Sequence, residues 1–345
     1  MKRIKIKYRE LYTWHNVKKA IKRYNKNRPL HRKIPEEIED KVAITLIKAL
    51  KNLDSIDFNK YRIKVLKKSP TCPKERKLLI PSKSNLLIQA CLIEVLEKEI
   101  DNKIPMNSYS SRKNRGAHRL MKNLRHFIST VSLNKNLYCL YFDIHKFYDN
   151  IDHDILFNKV KNLIKDKNIL KLLEKIIYST PGKTGIPIGN ACSHILANLY
   201  QSELLKYVNN SPRRQFSALY MDNWVILSTN KKNLHSLKKT IFKKLKDINL
   251  EVNSDYQVFK VTQHRGVKIA GFTVFRNCKT YCYKATWKRI KKTISRIKSE
   301  QFVLKDARSF MSRLGTFKHI EQYKKIILDI SFALFNKIKN IVKAA

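Results

Sequence analysis

The chain has 345 residues, with 73 Lys+Arg against 27 Asp+Glu, and a formal net charge of +46. Solubility asks a small domain for a magnitude of only about 2–8, so the excess marks a polyanionic partner. Nucleic acid, whose counterions are released when cations neutralise its phosphates, comes first. A hydrophobic content of 43% with 16 Tyr and 15 Phe excludes a disordered basic tail, and 7 Gly and 9 Pro exclude collagen-like and low-complexity chains.

Residues 14–27 and 35–53 read as amphipathic helices, the second opening after Pro35. Residues 74–81 read as a short strand carrying exposed cations, and 84–100 as an apolar helix with Glu94, Glu97 and Glu99 on its far part. Residues 107–131 start as a Ser/Tyr/Arg loop and pass into a basic helix. Leu137 to Ile144 is a buried strand, followed by a helix from about Asp152. Ala191 to Val208 reads as one helix, Phe216 to Ser228 as two strands around a tight turn at Met221-Asp222-Asn223-Trp224, and 231–247 as a Lys-rich helix. Residues 266–283 look like a hairpin, and from Lys284 onward the pattern is helical and basic. The mixture predicts an α+β or α/β chain with a helical end.

Of the 6 cysteines only Cys278 and Cys282 lie close together, and no second pair or His set stands at finger spacing. Zinc is therefore not expected, and free thiols suit a reducing cytosol. Met1 to Arg9 is charged rather than signal-like, and no stretch of ~18 apolar residues is present. A cytoplasmic chain without membrane contact is expected.

Acidic residues are scarce, so their placement is informative. Asp143 ends a buried strand, and Asp222 sits at a turn between two apolar strands. A carboxylate is costly at such positions unless it meets a cation or a metal. Taken singly, each reads as a turn or helix cap; Asp149, Asp152 and Asp154 are left to that reading, Asp152 as the N-cap of the following helix. Taken together, a strand ending in Asp143, a helix, a glycine-bearing turn at Gly185–Gly189 and a hairpin tipped by Asp222 would bring two carboxylates to one sheet. Two hard oxygen ligands suit Mg²⁺, which keeps waters and substrate phosphates in its other positions. Two such ions can clamp the attacking and leaving oxygens of an in-line phosphoryl displacement.

These segments also carry a resemblance. Tyr141-Phe-Asp-Ile-His-Lys-Phe-Tyr-Asp-Asn-Ile-Asp-His-Asp-Ile-Leu156 resembles motif A of bacterial reverse transcriptases, and Gly185-Ile-Pro-Ile-Gly-Asn-Ala-Cys-Ser-His-Ile-Leu-Ala-Asn-Leu-Tyr200 resembles their motif B. Tyr220-Met-Asp-Asn223 stands where the family has its Tyr-x-Asp-Asp turn, and Gly266–Phe275 looks like the primer-grip hairpin. Lys74-Glu-Arg76 before Ile80-Pro81, and Ser108-Tyr-Ser-Ser-Arg112, look like the finger motifs. The order is the family's over roughly residues 60–285, with separations of 46 residues (143 to 189) and 79 (143 to 222).

The resemblance implies an α+β chain with the right-hand polymerase fold: N-terminal helices and fingers over 1–135, a palm with an antiparallel sheet over 136–283, and a helical thumb over 284–345. It implies an RNA-directed DNA polymerase adding dNTPs by two-metal phosphoryl transfer on a structured non-coding RNA template. Asp143 and Asp222 would hold Mg²⁺, with Mn²⁺ as the alternative ion, assisted by the backbone carbonyl of Ile144. Tyr148 matches the bulky gate that clashes with a ribose 2′-OH, and Lys74 and Arg76 match the cations that grip the triphosphate. Gly189, after Ile188, would let the backbone approach the incoming base pair. The thumb's basic helices would follow the minor groove of an RNA–DNA duplex. Its acidic residues, Glu300, Asp306, Glu321 and Asp329, are a poor supply for a nuclease centre.

Several positions depart from the common pattern. Ile188-Gly189 replaces Gln-Gly, and Arg115-Gly-Ala-His118 is distinctive; both resemble the diversity-generating-retroelement branch and its defence-associated "unknown group" neighbours. Ser193-His194 replaces Ser-Gln, Tyr256 stands where motif D has a lysine, and Asn223 replaces the second aspartate of the turn. Asn223 still offers a neutral carbonyl oxygen beside Asp222, which keeps Asp143, Asp222 and Asn223 as the catalytic set. These departures favour a polymerase of bacterial antiphage defence. The alternatives are the mutagenic polymerase of a diversity-generating retroelement with its small accessory protein, and an RNA-binding scaffold partnering a second polymerase subunit. Template, primer and oligomeric state are not legible in the sequence.

Overall fold

The computed structural model describes residues 3–26, 28–69, 72–299, 302–323, 326, 330 and 332–344, excepting the side chains of 66–77, 332, 333, 343 and 344. The chain forms two compact units. One comprises Met1–Arg112, Ile144–Asn210 and Lys239–Ser254; the other comprises Lys113–Asp143, Ser211–Lys238 and Asp255–Ala345.

In the first unit, α1 (Trp14–Asn25) is capped by Thr13, whose hydroxyl accepts from the Asn16 N–H, and it buries Val17, Ala20 and Ile21 along one stripe. Arg23 of α1 reaches Glu97 and Glu94 of α3 (Lys83–Asp101) through bonds of 2.8–3.0 Å. Between them, α2 (Glu36–Lys51) has Glu36, Glu37 and Glu39 in its first turn and Lys48 and Lys51 in its last, matching the helix dipole. The expected cationic strand is β2 (Cys72–Pro81). It pairs antiparallel with β1 (Tyr61–Ser69), a strand the sequence reading did not pick out. Asp152 caps α5 (His153–Leu163) by accepting from the Ile155 N–H at 2.9 Å, as its position in the sequence suggested. Asp166 caps α6 (Lys167–Ile177) in the same way.

Residues 191–208, expected as one helix, form two: α7 (Ser193–Tyr200) and α8 (Ser202–Asn210). The Ser202 hydroxyl donates to the Leu199 carbonyl at 2.8 Å, competing for the acceptor that a continuous helix would use. The break at Gln201 leaves the buried Tyr200 hydroxyl donating to the Ile248 carbonyl at 2.6 Å.

The second unit is built on a four-stranded sheet in the order β4-β5-β3-β6, formed by β3 (Tyr138–Asp143), β4 (Phe216–Tyr220), β5 (Asn223–Ser228) and β6 (Gln257–Lys260). All three pairings are antiparallel. Period-two alternation sends Leu140, Phe142, Trp224 and Ile226 to one fully buried face, where the Phe142 and Trp224 rings stack at 5.6 Å. Trp224 is thus a core residue, as expected. The basic helix α4 (Ala117–Thr130) lays Phe127 on Phe216 at 5.2 Å. The Lys-rich helix α9 (Lys231–Lys246) lies between β5 and β6 in sequence.

The expected hairpin at 266–283 is a three-stranded sheet of β7 (Val267–Ile269), β8 (Phe272–Val274) and β9 (Thr280–Cys282). Arg276 ties it to the end of α4 by donating to the carbonyls of Ile128, Val131 and Ser132. The basic end is helical, as predicted: α10 (Lys284–Lys298), α11 (Leu304–Phe317) and α12 (Phe332–Ala344), with Trp287 of α10 against Phe317 of α11.

Helices mixed with antiparallel sheets place the chain in the α+β class. Cys91, Cys139, Cys192, Cys278 and Cys282 are free. Among the described residues no helix is long and apolar enough to cross a membrane.

Candidate active site

Strand register builds the centre in the second unit. Asp143, the last residue of β3, pairs with Asn223, the first of β5. Tyr220 also pairs with Asn223, so Met221 and Asp222 alone form the turn between β4 and β5. Two-residue hairpins demand a positive φ, which glycine usually supplies; here Met221 adopts it, at φ 59°. That conformation costs a residue with a Cβ about 1–2 kcal/mol. The strain keeps Asp222 at the tip of the hairpin, next to the end of β3, and strain of this kind gathers at functional sites.

Tyr141 and Asp143 lie two apart on β3 and therefore share a face, while Phe142 between them enters the core. The Tyr141 hydroxyl donates to Asn223 Oδ1 at 2.6 Å, and Asn223 Nδ2 donates to Asp222 Oδ1 at 2.9 Å. Burial first, and then neighbouring Asp143, Tyr283, Asp255 and Asp222, push the Tyr141 phenol well above its ordinary range. The hydroxyl is therefore a protonated donor at neutral pH.

The donor set at these strand ends suits a hard divalent cation. It consists of two carboxylates at adjacent register positions and a carboxamide, all oxygen chemistry. Among the described residues, no group of three or more His, Cys, Asp or Glu is placed to hold a metal. Two carboxylates could hold such an ion only with substrate phosphates and water completing its shell. Of the remaining expected oxygen donors, Ile144 is buried in the first unit and bridges antiparallel to Val252.

The other expected residues lie in the first unit. The Tyr148 hydroxyl is 2.9 Å from His194 Nδ1, with the two rings edge to face at 6.2 Å. Burial lowers the His194 pKa, which keeps the ring neutral near pH 7, so Nδ1 and the Tyr148 hydroxyl share a hydrogen bond whose donor is set by the imidazole tautomer. A Cβ on Gly189 would stand 2.8 Å from the Leu79 carbonyl oxygen, closer than any side chain tolerates. Position 189 therefore needs glycine for close backbone approach. Ile188 is 37% exposed. It lines a cavity of about 200 Å³ together with Leu79, Asp149, Gly185 and Pro187. Lys74 and Arg76 belong to β2, and their side chains lie outside the described residues.

Several motif residues turn out to be scaffolding. Arg112 is buried and donates to Asp101 and to the carbonyls of Asp101, Ile104, Pro105 and Ser108. It staples the loop after α3. Asn198 accepts from the Ser108 hydroxyl and donates to the Ser110 carbonyl, and the Ser193 hydroxyl donates to the Pro187 carbonyl. At the motif D position, the Tyr256 hydroxyl accepts from Lys238 Nζ at 3.2 Å, with that ammonium 4.6 Å from its ring centre.

Two residues beside the expected centres had no role in the sequence reading: Tyr141 and His194. The signal for Tyr141 was its i−2 position on the strand that ends in Asp143. For His194 it was only the departure from the usual motif B residue.

Comparison with known proteins bears on the family and the fold. The family model described as "Reverse transcriptase (RNA-dependent DNA polymerase)" matches residues 65–274. A putative COX1/OXI3 intron 2 protein of Saccharomyces cerevisiae is 34% identical over 98 residues, covering 25% of this chain and 12% of that protein. An uncharacterized 91 kDa protein in a cob intron of Schizosaccharomyces pombe is 26% identical over 187 residues, covering 51% of this chain and 22% of that one. The chain thus spans 12% and 22% of the length of these two relatives. Among solved structures, apo telomerase from Candida tropicalis superposes with a TM-score of 0.55 at 12% identity, covering 90% of this chain and 67% of that one. Telomerase from the same organism in complex with a TWJ fragment of telomeric RNA gives 0.51 at 13%, covering 89% and 65%. At such identities the likeness is one of fold, the right-hand polymerase fold. With the matched segment covering more than half of its length, the chain belongs to the reverse transcriptase (RNA-dependent DNA polymerase) family.

Proposed function

We propose that this protein is an RNA-directed DNA polymerase that adds dNTPs to a primer 3′-OH on a structured non-coding RNA template. The observation that carries the reading is the register pairing of Asp143 with Asn223, which sets two aspartates at neighbouring strand ends of one sheet. Asp143 and Asp222, with the Ile144 carbonyl, are the groups that would hold Mg²⁺ or Mn²⁺. Bound there, the ions supply Lewis-acid activation of the attacking hydroxyl and neutralise charge on the departing pyrophosphate. Asn223 stands beside Asp222 as its neutral partner. Tyr148, held by His194, meets the sugar edge and disfavours a 2′-OH. Lys74 and Arg76 neutralise the triphosphate, while Ile188 and Gly189 face the base pair. Residues 1–135 would serve as N-terminal helices and fingers, 136–283 as palm, and 284–345 as a thumb whose cations follow the RNA–DNA duplex backbone. The net charge of +46 supports a protein that keeps its RNA bound.

Ser193-His194, Asn223 and Tyr256, which depart from the diversity-generating pattern, support a place in bacterial antiphage defence. A template and variable repeat pair beside an accessory gene would instead favour a diversity-generating retroelement.

The test is labelled-dNTP incorporation by the purified protein with its co-purifying RNA, in Mg²⁺ or Mn²⁺, alongside Asp143→Ala and Asp222→Ala. Incorporation should fall by at least about 10³-fold in either variant, the scale of a large electrostatic term in catalysis, while RNA binding is retained. Absence of incorporation by the native chain under both metals, with RNA still bound, would instead mark a binding scaffold.

A further inference from the structure

The carboxamide of Asn223 can be assigned without ambiguity. Its two ends contact Tyr141 Oη at 2.6 Å and Asp222 Oδ1 at 2.9 Å. An ionised carboxylate only accepts, so the NH₂ end must face Asp222. The opposite orientation would set two acceptor oxygens against each other at 2.9 Å. The carbonyl oxygen is consequently directed at Tyr141, whose hydroxyl donates to it. One of the two lone pairs on the oxygen that would make Asn223 a ligand is thus already engaged in a side-chain chain of hydrogen bonds.

We propose that Asn223 and Tyr141 are positioning residues: Tyr141 anchors the Asn223 amide, and the amide fixes the rotamer of the Asp222 carboxylate. This rests on Asp222 being a metal-holding group, as argued under Proposed function. Tyr141 is well suited to anchor. It sits mid-strand on β3, two residues from Asp143, with its Cα paired to Val225 of β5. Its backbone is paired on both sides, to Val225 and to Gln257 of β6, so its hydroxyl projects from a fixed strand. Asp222, by contrast, sits in a two-residue turn where the backbone alone leaves a side chain free to rotate. Groups that orient a ligand from outside the coordination shell commonly change metal affinity or activity by about 10–100-fold when removed. At 223 the amide supplies Asp222 with a donor that a second, ionised carboxylate would lack.

The two possible roles of Asn223 predict opposite signs for one conservative change. If Tyr141 anchors the amide, Tyr141→Phe frees Asn223, and Asp222-dependent metal binding weakens. If Asn223 is itself a ligand, Tyr141→Phe releases its oxygen, and binding tightens. The experiment is Mn²⁺ binding to the full chain, stripped of nucleic acid in high salt and followed by electron paramagnetic resonance, with Asp222→Ala defining the background. We expect Tyr141→Phe and Asn223→Ala each to weaken the Asp222-dependent binding by about tenfold. The double variant should be no worse than either single one, because both break the same chain. Unchanged or tighter binding in Tyr141→Phe, or additive losses in the double variant, overturns the inference while leaving the metal reading intact. Native protein with no Asp222-dependent Mn²⁺ binding would overturn both. Should Tyr141→Phe fail to fold, Asn223→Asp decides alone: a positioning amide exchanged for a carboxylate loses its donor to Asp222 and binding weakens, whereas a ligand that gains a negative charge tightens it.

Discussion

Arg112 in the first unit and the Asp143–Asp222 pair in the second are charges withdrawn from bulk water, and their surroundings treat them in opposite ways. Arg112, with 3% of its side chain exposed, meets one carboxylate and carbonyls from four residues of its own loop, so its donors are spent on internal acceptors. The aspartates share one sheet edge as like charges, and the bond given to Asp222 comes from a neutral amide. A buried charge surrounded by fixed opposite partners is structure. An aspartate at a strained hairpin tip, given its bond by a neutral amide, keeps its charge for another partner, which under the proposed function is a divalent cation. In a chain of 73 cations the contrast matters, because Arg112 shows that an arginine in a family motif can be a staple rather than a substrate contact.

The largest expected effect tests the structural side. Arg112→Met leaves Asp101 and the loop carbonyls without their donor and should cost about 3–5 kcal/mol, as when one partner of a buried ion pair is removed. Urea denaturation measures it, and an unchanged midpoint would erase the distinction drawn here. Tyr148 is intermediate, a hydroxyl held by a single neutral ring. Tyr148→Ala should lower the dNTP-over-rNTP incorporation ratio at least about tenfold, within the range that packing alone discriminates. His194→Phe keeps a ring but removes the hydrogen-bond partner, and should shift the ratio the same way by less; equal ratios in all three proteins would remove Tyr148 from sugar recognition. The smallest effect sharpens the functional side. Asp222→Asn relieves like-charge crowding, so thermal unfolding should be unchanged or slightly higher, by no more than about 1 kcal/mol. A large destabilisation there would mean that the carboxylate is structural after all.

Much of this was legible in order along the chain. Helical periodicity marked α1, α2 and α3, and the apolar run before Asp143 marked β3, because burying a face imposes a period that sequence alone records. The apolar run within Asn223–Ser228 and the turn at Met221-Asp222 were readable because a short buried strand ends where polar turn residues begin. β6 was not, since four residues carry too little pattern. Nor was the break at Gln201, because apolar spacing continues through it and only a local hydroxyl diverts the Leu199 carbonyl.

The sequence by itself determined which residue types stand at strand ends and turns, and so which carboxylates can meet. Alternation fixes the face of a strand but not the partner across it. Tertiary structure alone decided that Tyr141 would meet a residue 82 positions away and Tyr148 one 46 away. It also decided that Arg112 would be enclosed by its own loop rather than left for a phosphate. Charge and periodicity are properties of a segment, whereas the partner of a polar group depends on the register and packing of segments far apart in the chain.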